Sequence, residues 1–319
     1  MNNLPNDQLN NNDDDELDLF ELSYVLWGKR FFIGATTSIF LLISIIYALM
    51  LPNIYQSQAM MLPMEANQGM SSMLGQYSGM ASLAGISLPS ESATKAQEAV
   101  ARIESFEFFS NNFLPHIKLE NLMAVKRWNQ ASDTLTYDAS DFNSESRQWV
   151  KKVRPSKSII PSSQEAYKEY KKIMRISEDK KTTFVTLSVE HESPVIAQQW
   201  VEIIMEQIDQ VMRDQDRQAA LQSVAYLNSL APTVNYEEIK QALSSLQQEQ
   251  MKRLMMVEAN ENYIFKVLES SIVPEEKFKP QRSFIVILGS VLGMMLSVMG
   301  VLVLHYTRKS SEHSEPGFR

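Results

Sequence analysis

The sequence predicts an α+β membrane protein. Two transmembrane helices flank a periplasmic α/β base domain, which carries a long protruding helical hairpin. Three observations predict this. Residues 31–50 and 284–304 each run without a charge, and a bilayer core of about 30 Å is spanned by roughly 20 apolar residues of helix. Between those runs lies enough polar sequence for one soluble domain of ordinary size. Within it, residues 193–260 lack glycine and repeat apolar residues at helical spacing.

The chain has 319 residues, is 44% hydrophobic and carries a formal net charge of -8. That is too polar for a pure membrane bundle. The acidic balance and the lack of a long basic stripe argue against nucleic acid as a partner. There is no cysteine, which removes disulfides, thiol nucleophiles and cysteine-held metals.

Residues 1–30 read as a cytoplasmic tail, solvated at first and rich in Asn and Asp. The run Asp13–Glu16 lacks the glycine and the spacing of a calcium loop. From Glu16 the pattern turns helical. Leu17, Phe20, Tyr24 and Trp27 share a face, with acids at the front and Lys29-Arg30 at the end, as the helix macrodipole favours. This predicts a short amphipathic helix on the membrane surface, with Trp27 at headgroup level. Residues 31–50 form the first span. The run is too long for a signal-peptide core, and no small-residue cleavage site follows, so an anchor is expected. Pro52 ends it.

Lys29 and Arg30 precede this span, and no further Lys or Arg occurs before Lys95. The positive-inside rule then puts the N-terminal side in the cytoplasm, residues 51–283 in the periplasm and the tail 305–319 back in the cytoplasm. Lys277, Lys279 and Arg282 run against this orientation.

The base is expected over 51–192 and 261–283. Residues 54–62 read as a strand. The Gly, Ser and Met-rich stretch 67–89 lacks the Gly-Lys-Ser/Thr of a phosphate loop and reads as a loop with a short apolar helix, packed on something such as a neighbouring subunit. Residues 92–109 are expected as a helix with Ala96, Ala99, Val100, Ile103 and Phe106 on one face. Short helices over 122–128, a polar loop over 133–146 and a helix over 163–170 follow. Residues 173–177 and 182–190 read as two strands joined by a turn at 178–181.

Ser193-Pro194 is a cap followed by proline at the first helical position. The helix it starts is expected to run to about Asn228. Its stripe comprises Ile196, Trp200, Ile203, Ile204, Ile208, Val211 and Met212, then Leu221, Val224 and Leu227. The polar run Arg213–Arg217 is expected to leave the core. Ala231-Pro232-Thr233 breaks the helix, and a second one returns over 236–259 with Ile239, Leu243, Leu246, Met251 and Leu254. So long a pair is expected to pack between subunits of a homo-oligomer. Residues 263–272 read as a last strand, and a sheet near the membrane would gather the strands.

Pro274 opens a charged collar that ends at Pro280, a stiff joint ahead of the second span at 284–304. Within that span Gly289 and Gly293 form a small-xxx-small pair, with Gly300 two turns on, and such spacing lets helices approach closely. Gly289, Gly293, Pro274 and Pro280 are therefore the candidate residues for helix packing or for contact with a membrane partner.

Catalytic candidates are absent from the sequence pattern. His116, His191, His305 and His313 lie in unrelated contexts without metal-ligand spacing. There is no H-E-x-x-H, G-x-S-x-G or Walker A. No enzymatic role, cofactor or metal is expected.

Several short segments, in order, resemble the bacterial chain-length determinant family, the Wzz-type polysaccharide co-polymerases. They are Glu16-Leu17-Asp18-Leu19, Leu26-Trp27, Leu51-Pro52-Asn53-Ile54-Tyr55, Phe184 to Glu190 with Ser193-Pro194, Tyr263 to Val267, and Val273-Pro274-Glu275 with Lys279-Pro280 and Arg282. The resemblance implies a Gram-negative inner-membrane protein with an α/β base and a long helix, forming bell-shaped oligomers. It implies control of the modal length of a surface polysaccharide, usually lipopolysaccharide O-antigen. The implied partners are a polysaccharide polymerase and the growing lipid-linked polysaccharide. Larger relatives carry a cytoplasmic tyrosine kinase, and this chain is similar to the kinase-free class. A structural adaptor for capsule or exopolysaccharide export is the alternative. A periplasmic sensory receptor is a third reading, which would need a cytoplasmic output module.

Overall fold

The computed structural model describes residues 19–64, 95–150, 159–233, 236–259 and 262–312. The tail readings before residue 19, the stretch 67–89 and residues 313–319 with His313 lie outside the described residues. The chain divides into two compact units, 1–51 with 280–319 and 52–279.

In the first unit a short helix, Leu19–Gly28, precedes the helix Arg30–Met50. Arg30 lies 5.4 Å from the ring centres of both Trp27 and Phe31, so the guanidinium sits on aromatic faces. The second long apolar helix is Arg282–Glu312. Two segments, Arg30–Met50 and Arg282–His305, are long and apolar enough to cross a bilayer. Only 6% and 17% of their apolar windows are buried, so neither is the core helix of a soluble domain.

The second unit is built on a four-stranded sheet in the order β6-β7-β1-β8, where β1 is Tyr55–Pro63, β6 Met174–Glu178, β7 Val185–His191 and β8 Phe265–Glu269. Every pairing is antiparallel. Tyr55 faces His191 and Met61 faces Val185, so Tyr55, Ser57, Ala59 and Met61 of β1 share a face with Val185, Leu187, Val189 and His191 of β7. All eight are buried, as the period-2 side-chain alternation requires of a packed face. The β6–β7 turn runs through Asp179, whose carboxylate accepts from the Lys181 backbone at 2.8 Å, and Thr183 closes it at φ 59.

Above this face lies the long helix Pro194–Leu230. Ser193 caps it, accepting from the Ile196 N–H at 3.5 Å, and Pro194 opens it. At 37 residues it is about 55 Å long at 1.5 Å per residue. Trp200, Ile204, Ile208 and Met212 recur every four positions and are buried. The return helix Glu237–Ala259 runs antiparallel beside it, with Gln247 Nε2 donating to Asn228 Oδ1 at 2.6 Å and Arg217 Nε to Glu258 Oε1 at 2.6 Å.

A second layer of the core comes from aromatic residues. Phe109, Phe113 and Tyr170 are fully buried, with ring centres 5.0 Å (Phe109–Tyr170) and 5.1 Å (Phe113–Tyr170) apart. Phe113 meets Trp200 edge-on at 5.7 Å. Tyr170 comes from the helix Ser163–Ile173, which a capping box between Ser162 and Glu165 starts. Its buried hydroxyl donates to the Ile103 carbonyl at 3.0 Å.

Four readings of the sequence are corrected here. The helix expected over 92–109 is described from Lys95 and stops at Ile103. Ser105 leaves the helix in an extended conformation and caps a new turn at Phe106. Phe106 is therefore exposed, and Phe108, Phe109 and Phe113 take the core positions. The short helices expected over 122–128 are one helix, Leu119–Met123, followed by β2, Val125–Asn129. The polar loop at 133–146 contains β3, Thr134–Tyr137, which pairs with β2, and β4, Phe142–Asn143, which pairs with β5, Gln148–Trp149. A register shift between Val125 and Arg127 breaks the alternation, and so hides the strand from a period-2 reading. The last strand is shorter than expected, Phe265–Glu269.

The aromatic layer supplies the first test. Phe113→Ala is expected to lower stability by about 3–5 kcal/mol, read as an early thermal transition of the detergent-solubilised protein. An unchanged transition would show that the Phe113 cluster does not hold this unit.

Candidate functional site

No single cleft gathers the sequence-derived candidates. Three places combine chemistry and geometry, one in the first unit and two in the second.

The first is the seam between the two long apolar helices. A Cβ placed on Gly289 would fall on the Ser44 side chain, and one on Gly293 would lie 2.5 Å from Phe40 Cβ. The numbering rises on one helix as it falls on the other, so the pair is antiparallel. Both glycines thus permit a backbone approach that any side chain would block. Gly300 has open space around its Cβ position. Ser297 and Val301, further along, are buried too.

The second place is where the chain enters and leaves the sheet unit. Ile54 N–H donates to the Lys279 carbonyl at 2.9 Å, and Phe278 N–H donates to the Ile54 carbonyl at 2.8 Å. Ser57 Oγ donates to the Ile272 carbonyl at 2.8 Å. Lys279 Nζ lies 2.8 Å from both oxygens of Glu190, whose side chain is 9% exposed, and Arg175 Nε is 3.6 Å from the same carboxylate. Lys279, which runs against the positive-inside orientation, is therefore engaged by a buried carboxylate, although its own side chain stays 41% exposed. Pro274 lies half-buried in the extended segment after β8, and Pro280 directly follows Lys279. Neither proline is in a helix seam.

Beside Glu190, His191 is buried with defined partners. Its Nδ1 lies 2.9 Å from the Ser193 backbone nitrogen, which donates, and its Nε2 is 3.0 Å from the Asn121 carbonyl. The ring is thus neutral, protonated at Nε2, and burial pushes its pKa down to about 4. The Glu192 carboxylate, 3.9 Å away, accordingly makes no ion pair with it at neutral pH. His191 also meets Trp200 edge-on at 4.8 Å, so it locks the start of the long helix to the sheet.

The third place is an ionic node at the root of the helix pair. Asp216 accepts from Lys95 and from the Tyr263 hydroxyl, and Arg253 lies 3.5 Å away. Arg213 donates to the Val257 carbonyl at 2.7 Å and to Asp209 at 2.7 Å. Asp209 in turn accepts from the Tyr263 and Ile264 N–H groups at 2.8 and 3.1 Å. Burial alone would raise the Asp216 carboxyl, but the bonds from Lys95 and Tyr263 and the charges of Lys95 and Arg253 outweigh it and hold its pKa below the usual range. Burial, then the hydrogen bond to Asp216 and that carboxylate's charge, pushes the Tyr263 hydroxyl up.

The expectation that Arg213–Arg217 leaves the hydrophobic core holds, since none of the five is buried and Gln215 is exposed. Arg213 and Asp216 are nonetheless partly buried, and through them and Arg217 the run ties the long helix to Lys95, to the return helix and to the approach to β8. The signal was present in the sequence. Stepping by four from Ile204 gives Ile208, Met212, Asp216 and Ala220, so Asp216 falls on the buried stripe. Among the described residues, no group of His, Asp and Glu has the geometry to hold a metal.

Residues 15–105 match the family model described as Wzz, chain length determinant protein. The family resemblance read from the sequence is thus shown over that stretch. No curated protein matches the chain. Among solved structures, a full-length bacterial polysaccharide co-polymerase aligns with 92% of this chain and 99% of its own, at 14% identity and a TM-score of 0.41. A fragment of WzzB, a polysaccharide co-polymerase from Salmonella Typhimurium, aligns with 71% of this chain and 100% of its own, at 10% identity and a TM-score of 0.27. Both are loose likenesses.

Two outcomes follow from the node and from His191. Asp216→Asn is expected to cost about 1–3 kcal/mol, because it leaves the Lys95 and Arg253 charges without their anion. A matched Lys95→Met/Asp216→Leu pair recovers part of that loss, and strict additivity of the two single changes would refute the coupling. The folded pKa of His191 lies below its unfolded value near 6.5, so its neutral form stabilises the fold above that pH. That contribution, on the order of 3 kcal/mol, is lost as pH falls from about 6.5 toward about 4. Burial raises the Glu192 carboxyl, and its titration acts in the opposite sense. Thermal unfolding of Glu192→Gln across this range isolates the His191 slope, and a flat profile would contradict it.

Proposed function

We propose that this chain sets the modal length of a surface polysaccharide, with lipopolysaccharide O-antigen as the polymer. It does so without covalent chemistry, as an oligomeric scaffold of the bacterial inner membrane that works beside the polysaccharide polymerase. The observation that carries the proposal is the match of residues 15–105 to the chain length determinant model. That stretch includes the first span and β1.

Other features support the reading. The helices Arg30–Met50 and Arg282–His305 are long and apolar enough to anchor the chain twice. Lys29 and Arg30 favour a cytoplasmic N-terminal flank, which leaves residues 51–283 periplasmic. The engagement of Lys279 with Glu190 removes one of the three charges opposed to that orientation. Leu221 and Tyr226 on the long helix, with Ile239, Leu246, Met251 and Met255 on the return helix, are exposed. An apolar surface of this kind suits burial between copies of the chain. Length control by such an assembly needs geometry alone, either to hold polymer or to organise polymerase copies.

The decisive experiment is deletion in the host, followed by electrophoretic separation of the surface polysaccharide. Loss of the modal band is expected, and restoration by the intact chain. An unchanged length distribution would overturn the proposal. Gly289→Leu/Gly293→Leu is expected to broaden the distribution while the chain still inserts, because the seam at Ser44 and Phe40 is forced open. Normal lengths from that variant would separate the seam from length control.

A further inference from the structure

The irregular stretch 270–278 follows β8 and leads toward the helix Arg282–Glu312. Three of its large apolar residues, Ile272, Val273 and Phe278, are exposed. Single exposed apolar residues are ordinary on a protein surface. Here three fall close together, on a backbone pinned at both ends. Ser57 holds the Ile272 carbonyl, and Ile54 bonds through its backbone to Phe278 and Lys279. The Lys279 ammonium, gripped by Glu190, stands 5.1 Å from the centre of the Phe278 ring. The ring is therefore set in place while the residue stays 44% exposed.

Chain length says what lies near it. Ile54 follows Met50, the last residue of the first apolar helix, by four positions. At about 3.3–3.6 Å per residue, that tether reaches at most ~14 Å, whatever angle the two units take. Phe278, hydrogen-bonded to Ile54, precedes Arg282 at the start of the second apolar helix by four positions as well. This reach little exceeds the headgroup layer, about 5–8 Å deep on each side of a bilayer, plus the length of one aromatic side chain.

The composition sets the depth. Glu275 and Glu276 form a bend between Val273 and Phe278 and are exposed. Two carboxylates do not enter the acyl region, so the contact is confined to the boundary. Charge interleaved with apolar residues also fits the core of a protein–protein interface poorly. Lys277 is exposed and makes no ion pair among the described residues. An ammonium next to an aromatic ring suits the headgroup level, with the ring toward the acyl chains and the charge on phosphate. We propose that residues 272–278 form a lipid-docking edge, with Phe278 seated at the headgroup boundary and Lys277 on the headgroup of an anionic phospholipid. The edge gives the sheet unit a lipid contact of its own, besides the two apolar helices. The inference rests on those helices crossing a bilayer. It is independent of what the chain does to any polymer.

The test uses the full chain in lipid nanodiscs, with 4-fluorophenylalanine introduced at one position at a time. Fluorine relaxation by dissolved oxygen, which concentrates in lipid, is compared with relaxation by an aqueous nickel chelate. Phe106, 40% exposed, is the water-facing reference, and Phe40, in the middle of the helix Arg30–Met50, is the lipid reference. In nanodiscs containing phosphatidylglycerol, Phe278 is expected to favour oxygen over nickel more than Phe106 does and less than Phe40 does. Lys277→Glu is expected to lower the docked-to-free ratio about fivefold in that lipid, and to leave it unchanged in phosphatidylcholine alone. Its thermal transition stays that of the parent, because Lys277 is exposed. The inference is overturned if Phe278 behaves as Phe106 does, which leaves it in water. It is overturned too if neither oxygen nor nickel reaches Phe278, which puts a protein surface over it. An equal response to Lys277→Glu in both lipids also overturns it, because the cation would then not be reading lipid charge. Failure of the anchors looks different. Phe40 in lipid with Phe278 in water would leave both anchors and remove the edge, whereas Phe40 in water would remove the anchors themselves.

Discussion

The second unit depends on one strand being paired on both edges by partners far away in the chain. β1 follows the first span closely, lies between β7 and β8, and pairs with residues 185–191 and 265–269. Nothing local can complete it. Such pairings bear a large loop-closure entropy before any contact offsets it, so the sheet forms only once most of the unit has been made. The long helix covers the face that β1 and β7 share, and the Ile54–Lys279 bonds draw the entering and leaving chain together. Cutting that double pairing would leave the remaining helices without the face they pack on.

The polar interior is arranged around the same strand pair. Glu190 and His191 end β7, and each is answered, one by Lys279 and Arg175, the other by Ser193 and Asn121. Buried charges and imidazoles of this kind add little to net stability over apolar residues of the same shape, but removing one partner is costly. They act as register marks. The node around Asp216 does the same at the other end of the core. There a single carboxylate connects the start of one helix, the middle of another, the return helix and the approach to β8.

Much of this was legible in the sequence, for physical reasons. The two apolar helices announce themselves because each runs about twenty residues without a charge, the length and composition a bilayer-spanning helix needs. The long helix is readable from Ser193-Pro194 onward because its cap, its proline and its four-residue stripe agree. β7 is readable because Phe184 to Val189 alternates. The elements that escaped reading are those where side-chain type and local geometry disagree. β2 carries Lys126 and Arg127 and a bulge, so its alternation fails within a few residues. Phe106 has the right spacing for the core, but Ser105 resets the helix phase and turns it outward. Asp216 has the right phase for the core but the wrong polarity, and composition outvoted position. At the seam, Gly289 and Gly293 are visible as a spacing, whereas their neighbours Ser44 and Phe40 are fixed only by how the helices meet.

The long helix buries its side chains densely as far as Met212, and of its later residues only Ala220 is buried. It is therefore a rod gripped along one half, and its direction is set at the grip. The gripping groups at the node are few, Asp209, Arg213, Asp216 and Arg217 against Lys95, Tyr263 and the return helix. A small change in tilt there is multiplied along the free half, as at the end of an oar. Substitutions confined to these few contacts would re-aim the outer half without altering its own sequence. The dimensions of anything assembled from such rods are then written at the oarlock, far from the surfaces that meet.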